Sequence, residues 1–394
     1  MKNAIHGLGV GGSFVHGPYK RRTRLGRTEE YREPQGLYGR TARSLPGRTS
    51  DLYHLFKRLV PPAIERLGED PVVIMVHGFL FDPRDSISNE PSDSDNPHSR
   101  LYHFNQVDPD SQIRHHTTSW PLGLGFTETD LDGRDGLILA FGWHSRPGFA
   151  LSLITRFQNF YARAYSLAEE AAWNLLTATH LLAPYLPDGK RIDFFCHSLG
   201  SRVVIRLFAL LAKYDRTDLL ERIGRVIILG GSEYVVEARV MLHRLDQVGM
   251  ADRIEFYNVV SRENDVLDKL GENFGPITFG NSNVIGHNGL DVEDPANLGP
   301  SWIDLQIDSS PLQRWIAAYT EGRIRVTGDN PNSIWDHWYY FTDPGNMALY
   351  HDILRNRAYW SIPLLRRTPL PVGRDGSQIT IPDRVSRRRS IFGD

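Results

Sequence analysis

The sequence predicts an α/β fold, with a doubly wound, mostly parallel sheet flanked by helices. Between residues 70 and 260, short apolar runs alternate with longer stretches of helical period. The runs are largely apolar, as expected for strands that are covered on both faces. One of them leads through Cys196-His197-Ser198-Leu199-Gly200 directly into a helical pattern. Strands separated by helices in this order are typical of parallel sheets.

Five segments are predicted to be strands. They cover residues 71–76, 137–141, 192–195, 225–229 and 253–260. Apolar residues at helical spacing predict a long helix over 154–182, which stops before Pro184, and a helix over 203–211 after the third strand. A further helix is predicted over 347–354, and residues 312–319 form an amphipathic fragment.

The catalytic domain is expected to span residues 51–360. Residues 1–50 contain ten Lys/Arg against three Glu and show no periodicity, so they predict an irregular basic arm. Residues 361–394 predict a basic C-terminal tail. The polar stretch 82–133 and the Gly/Asn-rich stretch 270–334 interrupt the alternation, and we predict that they form lid-like insertions or pocket walls.

Composition excludes several classes of function. A net charge of −2 argues against nucleic acid as the main partner, and the basic ends are expected to be solvated arms. A single cysteine rules out an internal disulfide and a multi-cysteine metal site, and no metal or organic cofactor is expected. No run of 18 apolar residues and no apolar signal segment occurs, so we expect no integral membrane segment and a cytoplasmic location. Oligomeric state does not follow from the sequence.

Ser198 is the predicted nucleophile. Its surroundings match the nucleophile-elbow pattern G-x-S-x-G, with Cys196 in place of the first glycine. Small residues two positions before and after the serine let a strand and a helix pass closely in this turn. Cys196 itself is the less favoured nucleophile, because Ser198 occupies the apex of the turn.

Asp265 is the predicted acid. It follows the strand 253–260 closely, and catalytic groups of doubly wound sheets gather at the carboxyl ends of the strands. Asp268 and Glu263 are the reserve candidates. The alternative for Asp265 is a purely structural role as a cap of the following helix.

His337 is the predicted general base. It lies among aromatic residues on a late loop before a helical segment. His287, in a glycine-flanked loop, and His351, within the last predicted helix, are the rivals. Because the chain contains 15 histidines, most of them must be bystanders.

The backbone N–H groups of Phe79 and Leu199 are the predicted oxyanion donors. Phe79 follows the first strand, and Leu199 begins the helix after Ser198, where the helix N-terminus adds positive potential. His77 is predicted to fix the turn before Phe79 rather than to carry protons. Trp143 and Trp338 are candidate substrate contacts, and core packing is an equally good interpretation of both.

The combination of these segments resembles the α/β-hydrolase superfamily, and within it a bacterial esterase/lipase-like branch of largely unassigned substrate. The resemblance covers roughly residues 70–355. The segments that carry it are Val76-His77-Gly78-Phe79, Phe141-Gly142-Trp143-His144-Ser145, His197-Ser198-Leu199-Gly200-Ser201-Arg202-Val203, Asn264-Asp265 and Asp336-His337-Trp338-Tyr339-Tyr340. It implies Ser198 as nucleophile, Asp265 as acid and His337 as base. Cys196 in the elbow and the long insertions depart from the pattern.

The expected activity is hydrolysis of a carboxylic ester, small or polymeric, through an acyl-enzyme on Ser198. Interception of the same intermediate by an alcohol or amine would instead make an acyltransferase. From a different class, a non-catalytic binding protein of the same fold is the remaining alternative.

Overall fold

A computed structural model describes most of the predicted domain. The described residues are 20–22, 28–30, 60, 64, 67–83, 95–103, 119–126, 136–146, 155–261, 283–290, 301–328 and 337–368, with backbone alone at 20–22, 28–30 and 155–160. The predicted acid Asp265 and its reserves, Glu263 and Asp268, lie outside these ranges.

The central sheet has six parallel strands, in the order β4-β3-β5-β6-β7-β8. Its strands are β3 (Val72–Val76), β4 (Leu137–Phe141), β5 (Ile192–His197), β6 (Ile223–Leu229), β7 (Glu255–Val260) and β8 (Trp302–Gln306). A separate antiparallel pair is formed by β1 (Lys20–Arg22) and β2 (Thr28–Glu30). The predicted α/β class with a mostly parallel sheet is therefore confirmed.

Helices and turns connect the strands. The helices are α1 (Pro97–Arg100), α2 (Trp120–Gly123), α3 (Thr155–Leu182), α4 (Gly200–Lys213), α5 (Thr217–Leu220), α6 (Val235–Gln247), α7 (Ile285–Asn288), α8 (Ser310–Tyr319), α9 (Tyr339–Thr342), α10 (Pro344–Arg355) and α11 (Ile362–Arg367). A short 3-10 helix, Ala183–Tyr185, ends α3 at the predicted proline. Within the described ranges, no helix combines the length and apolar character that crossing a membrane requires.

The sheet is apolar on both faces because each face has its own core. Along β3, Val72, Ile74 and Val76 belong to one hydrophobic cluster, together with residues of α3, α4 and α6. The alternate residues Val73 and Met75 belong to the other cluster, with residues of α8, α9 and α10. Alternation across the pleat thus fills two layers, which explains why the strand sequences are apolar throughout.

Strand β8 was not anticipated from the sequence. It lies within the stretch 270–334 that was predicted as an insertion, and it pairs with β7. Its sequence contains Asp304, which is buried and accepts hydrogen bonds from Asn258 Nδ2 (2.6 Å), the Leu290 N–H (2.9 Å) and Trp302 Nε1 (2.9 Å). Burial raises the pKa of Asp304 to about 6. A satisfied carboxyl group therefore occupies a position that looks exposed in the sequence.

The folded region also extends past residue 360. Helix α11 lies in the stretch predicted as a basic tail, yet Ile362 and Leu365 are buried. The Ile362 N–H donates to Glu255 Oε1 (2.8 Å), which ties α11 to the first residue of β7.

The strand order reverses beside β3. The chain passes from β3 to β4 on one side and then returns to place β5 on the other side. Ligands of open α/β sheets bind outside the carboxyl ends of the strands at such a switch point. Here that position lies between the end of β3, at residues 77–80, and the end of β5, at Ser198.

Candidate active site

Ser198 occupies a strained turn between β5 and α4. Its φ of +51° is in the left-handed region, which costs a non-glycine residue about 1–3 kcal/mol. The turn is held by hydrogen bonds of its backbone: the Ser198 N–H donates to the Leu229 carbonyl (2.9 Å), and the Ser198 carbonyl accepts from Ser201 Oγ (2.7 Å). Such strain is typical of functional positions, and it agrees with the predicted elbow.

Two glycines permit the close approach of β3 to this turn. A Cβ added at Gly78 would lie 2.8 Å from Ser198 Cβ, and one added at Gly200 would lie 2.4 Å from the Val76 carbonyl oxygen. Both distances are shorter than carbon and oxygen atoms tolerate. The sequence therefore needs glycine at both positions to place Ser198 beside the end of β3.

Cys196 has none of the properties of a nucleophile. Its side chain belongs to the core, its Sγ contacts the Ile227 carbonyl at 3.5 Å, and burial raises the pKa of the thiol. A thiol attacks as its thiolate, so this environment disfavours the alternative that Cys196 carries the reaction.

His77 fixes the turn after β3, as predicted. Its Nδ1 donates to the Gly78 carbonyl (2.9 Å) and its Nε2 accepts from the Trp143 N–H (2.9 Å). Burial lowers the pKa of His77 to about 3, so the ring is neutral, in agreement with one donating and one accepting nitrogen. Trp143 stacks on this ring at 5.7 Å and donates from Nε1 to the His77 carbonyl (2.8 Å).

The two predicted oxyanion donors belong to segments that meet at Ser198. Phe79 follows Gly78, where an added Cβ would lie 2.8 Å from Ser198 Cβ. Leu199 is the residue before α4, and its N–H has no hydrogen-bond acceptor among the described residues. An N–H at the start of a helix without an acceptor is suited to binding an anion. The oxyanion role itself remains a prediction.

His337 lies beside the elbow. Its ring is 4.5 Å from that of His197, and its carbonyl accepts a hydrogen bond from His197 Nε2 (3.0 Å). A Cβ added at Gly230, after β6, would lie 3.0 Å from His337 Cε1. Burial, with a smaller effect of His197, lowers the pKa of His337 well below its usual value. The imidazole is therefore neutral, which is the form that can accept a proton.

The Ser198 hydroxyl does not bond to His337 in this structure. Its partner is Ser232 Oγ, at 3.1 Å. Ser232 follows β6 and is buried, and its N–H donates to the Ser198 carbonyl (3.2 Å). Proton transfer to His337 therefore requires the Ser198 side chain to exchange Ser232 for the imidazole.

The structure does not test Asp265 as the acid. Strand β7 ends at Val260, next to β6, so the chain that leads to Asp265 starts at the same edge as Ser232. Glu233, the carboxylate adjacent to Ser232, is engaged elsewhere: it accepts from Arg202 Nη1 (3.0 Å) and from the Tyr165 hydroxyl (2.6 Å).

The two rival bases lie in different places. Gly286 of α7 packs against the backbone of Gly230 and Gly231, which places His287 near the loop that carries Ser232. His351 lies on α10 against Gly125, which follows α2. The structure thus leaves His287 open as an alternative to His337.

The two candidate substrate contacts differ in exposure. Trp143 is buried and engaged with His77, as described above. Trp338 is half-buried and lies edge-on to Phe81 (5.8 Å) and near His197 (5.9 Å). Contact of either side chain with substrate stays a prediction. Trp338 is the better candidate, because it is more exposed than Trp143.

Sequence reasoning missed two hydroxyl groups beside the elbow, those of Ser232 and Tyr161. Ser232 carries a signal in the sequence, because it follows the apolar run of β6 in Gly230-Gly231-Ser232 and so lies at the carboxyl end of a strand. Tyr161 carried no such signal, because it lies on the apolar face of α3.

Within the part of the chain that the structure describes, no cluster of three or more His, Cys, Asp or Glu side chains could hold a metal ion. No protein-family model, curated protein or solved structure matches the chain.

Proposed function

We propose that the protein is a serine hydrolase with an α/β-hydrolase fold that cleaves carboxylic esters through an acyl-enzyme on Ser198. The observation that carries the proposal is the left-handed backbone of Ser198, at the point where the strand order of a parallel sheet reverses. A serine with a strained backbone in this position is expected of a nucleophile, because the turn presents its hydroxyl above the carboxyl edge.

The neighbours of Ser198 supply the other groups that acyl transfer needs. His337 is neutral and lies beside the elbow, and the Leu199 N–H points to no acceptor among the described residues. Asp265 is proposed to orient the imidazole.

The proposed reaction has two halves. In the first, His337 takes the proton of Ser198 while Oγ bonds to the ester carbonyl carbon, and the carbonyl oxygen becomes an oxyanion held by the Phe79 and Leu199 amides. Collapse of this intermediate breaks the bond to the alcohol oxygen, which leaves with the proton from His337. In the second half, His337 deprotonates a water that attacks the acyl-enzyme, and the acid is released as Ser198 regains its proton.

Hydrolysis of p-nitrophenyl esters, from acetate to palmitate, tests the proposal. We expect Ser198→Ala to lower kcat by about 10⁴-fold or more, with an unchanged thermal unfolding curve. Retention of most activity by this variant would overturn the proposal.

Separate His337→Ala and His287→Ala variants assign the base. We expect His337→Ala to lose about as much activity as Ser198→Ala, because the effects of removing members of one catalytic unit are not additive. His287→Ala should lose little activity. Inactivation by the second substitution alone would show that His337 is the wrong base.

A further inference from the structure

The hydroxyl of Tyr161 is buried and makes no regular hydrogen bond within the described part of the chain. Tyr161 lies on α3, its side chain is only 3% exposed, and no described donor or acceptor meets its hydroxyl at the distance and angle of a normal hydrogen bond. An unpaired buried hydroxyl costs about 1–3 kcal/mol. A group that carries this cost beside a candidate active site calls for an explanation in terms of function.

The Tyr161 side chain adjoins two groups of the site. Its ring is edge-on to that of Phe79, the residue whose backbone N–H is a predicted oxyanion donor, at 5.8 Å. Burial raises the pKa of Tyr161 and the Tyr234 phenol adds to the rise, whereas a weak hydrogen-bonding interaction with the Ser232 hydroxyl opposes it. This contact does not have the geometry of a regular hydrogen bond, so it leaves the Tyr161 hydroxyl only weakly engaged. Ser232 in turn bonds to Ser198 at 3.1 Å. The hydroxyl groups of Tyr161, Ser232 and Ser198 thus lie next to one another, with Ser232 in the middle.

Tyr165, one helical turn further along α3, shows what a structural tyrosine looks like in the same environment. Its hydroxyl donates to Glu233 Oε1 at 2.6 Å. The guanidinium of Arg202 lies over its ring, with Cζ 3.4 Å from the centroid, and completes the network through Glu233. Every part of this side chain has a partner, in contrast to the hydroxyl of Tyr161.

We propose that the Tyr161 hydroxyl is a third donor to the carbonyl oxygen of the substrate, and that it strengthens its hydrogen bond as this oxygen becomes an oxyanion. The inference rests on the proposed hydrolase function of Ser198. The phenol keeps its proton throughout, since burial disfavours the phenolate, and it therefore acts as a hydrogen-bond donor rather than as an acid. The bond to substrate would give the Tyr161 hydroxyl a full hydrogen bond, which the described residues do not supply.

The substitution Tyr161→Phe tests the proposal, with Tyr165→Phe as its matched control. We measure kcat and KM with p-nitrophenyl butyrate, the rate of labelling by a fluorophosphonate probe, and the midpoint of thermal unfolding. Because a bond made mainly in the transition state is lost, Tyr161→Phe should lower kcat by about 10²-fold with KM within about two-fold. Its unfolding midpoint should stay the same or rise, because the hydroxyl it removes makes no regular hydrogen bond to the described residues.

Tyr165→Phe should show the opposite behaviour. It removes a hydroxyl that Glu233 needs, so the unfolding midpoint should fall, while kcat per probe-titrated site should change by less than about three-fold.

Two results would overturn the inference. The first is a kcat of Tyr161→Phe within about three-fold of wild type. The second is a loss of activity that is fully explained by a smaller number of probe-titrated sites. Failure of the proposed function looks different: the wild-type protein would then be neither labelled nor active, and the inference would fall with it.

Discussion

At the amino edge of the sheet, buried charged side chains are paired with one another, whereas at the carboxyl edge two polar groups near Ser198 make no regular hydrogen bond to the described residues. On the amino edge, Arg225 donates from Nε to Glu255 Oε2 (2.7 Å), and its other nitrogens donate to the Ile353 and Arg357 carbonyls. Asp193 accepts from the Arg225 N–H (2.7 Å) and from Arg357 Nη1 (2.6 Å). This edge is built for stability.

The carboxyl edge, in contrast, contains a strained residue and polar groups that lack regular hydrogen bonds. Ser198 is strained, the Leu199 N–H has no acceptor and the Tyr161 hydroxyl makes no regular hydrogen bond in the described structure. Proteins tolerate such features where the surroundings enforce them and function uses them. The comparison therefore favours the same candidate site as the elbow motif, of which Ser198 and Leu199 are part. Substitutions at the amino edge should cost stability, and those at the carboxyl edge should cost activity.

The largest effect is expected from Arg225→Met. It removes the shared partner of Glu255 and of two backbone carbonyls, and breaking a largely buried ion pair costs about 3–5 kcal/mol. Urea unfolding should show this loss of stability, while kcat of the folded protein stays near wild type. Arg216→Met is the matched control, because Arg216 pairs with Asp218 at the surface and its loss should cost less than about 1 kcal/mol. Equal costs for both variants would contradict the account of the amino edge.

Gly78→Ala should lower the rate of ester hydrolysis. The new Cβ would press on Ser198 and on the His197 carbonyl, 3.0 Å away, and a displacement of a catalytic group by about 1 Å can cost about 10²-fold in rate. Gly189→Ala serves as the control at the amino edge. Gly189 has a φ of +79° and no atom within 4 Å of an added Cβ, so its substitution should cost stability alone. Full ester hydrolysis by Gly78→Ala would argue against a site beside the end of β3.

The smallest expected effect is that of His77→Gln on the pH dependence of stability. Burial lowers the pKa of His77 to about 3, against 6.5 in the unfolded chain, so the unfolded state binds a proton first as the pH falls. The contribution of His77 to stability is therefore complete above pH 6.5 and is lost towards pH 3, by roughly 1 kcal/mol per pH unit. Urea unfolding between pH 7 and 5 should show a smaller pH slope for His77→Gln than for wild type. An unchanged slope would mean that His77 is protonated, or exposed, in the folded protein.

Much of the fold could be predicted because its signals are local. Central parallel strands are buried on both faces, so the sequences of β3, β4 and β6 are apolar runs. The sequence of α3 has apolar residues at helical spacing that end near Pro184. Strand β8 could not be recognised in this way. Asp304 interrupts its apolar pattern, and the groups that satisfy that carboxyl, Asn258 and the Leu290 N–H, are distant in the sequence.

The residues of the candidate site also differ in whether a local sequence pattern predicts them. The elbow at Ser198 is a motif of five consecutive residues, so the sequence predicts it. The contacts of Ser232 and Tyr161 depend on how β6 and α3 pack around that motif, and no local pattern marks them. The acid remains a prediction, because Asp265 lies outside the described residues.

The most direct measurement is to treat the wild-type protein with a fluorophosphonate probe and to locate the adduct by peptide mass spectrometry. Our account predicts one adduct per chain, on the Ser198 hydroxyl, and none in Ser198→Ala. An adduct on the neighbouring Ser232, or a wild-type protein that the probe leaves unmodified, would contradict it.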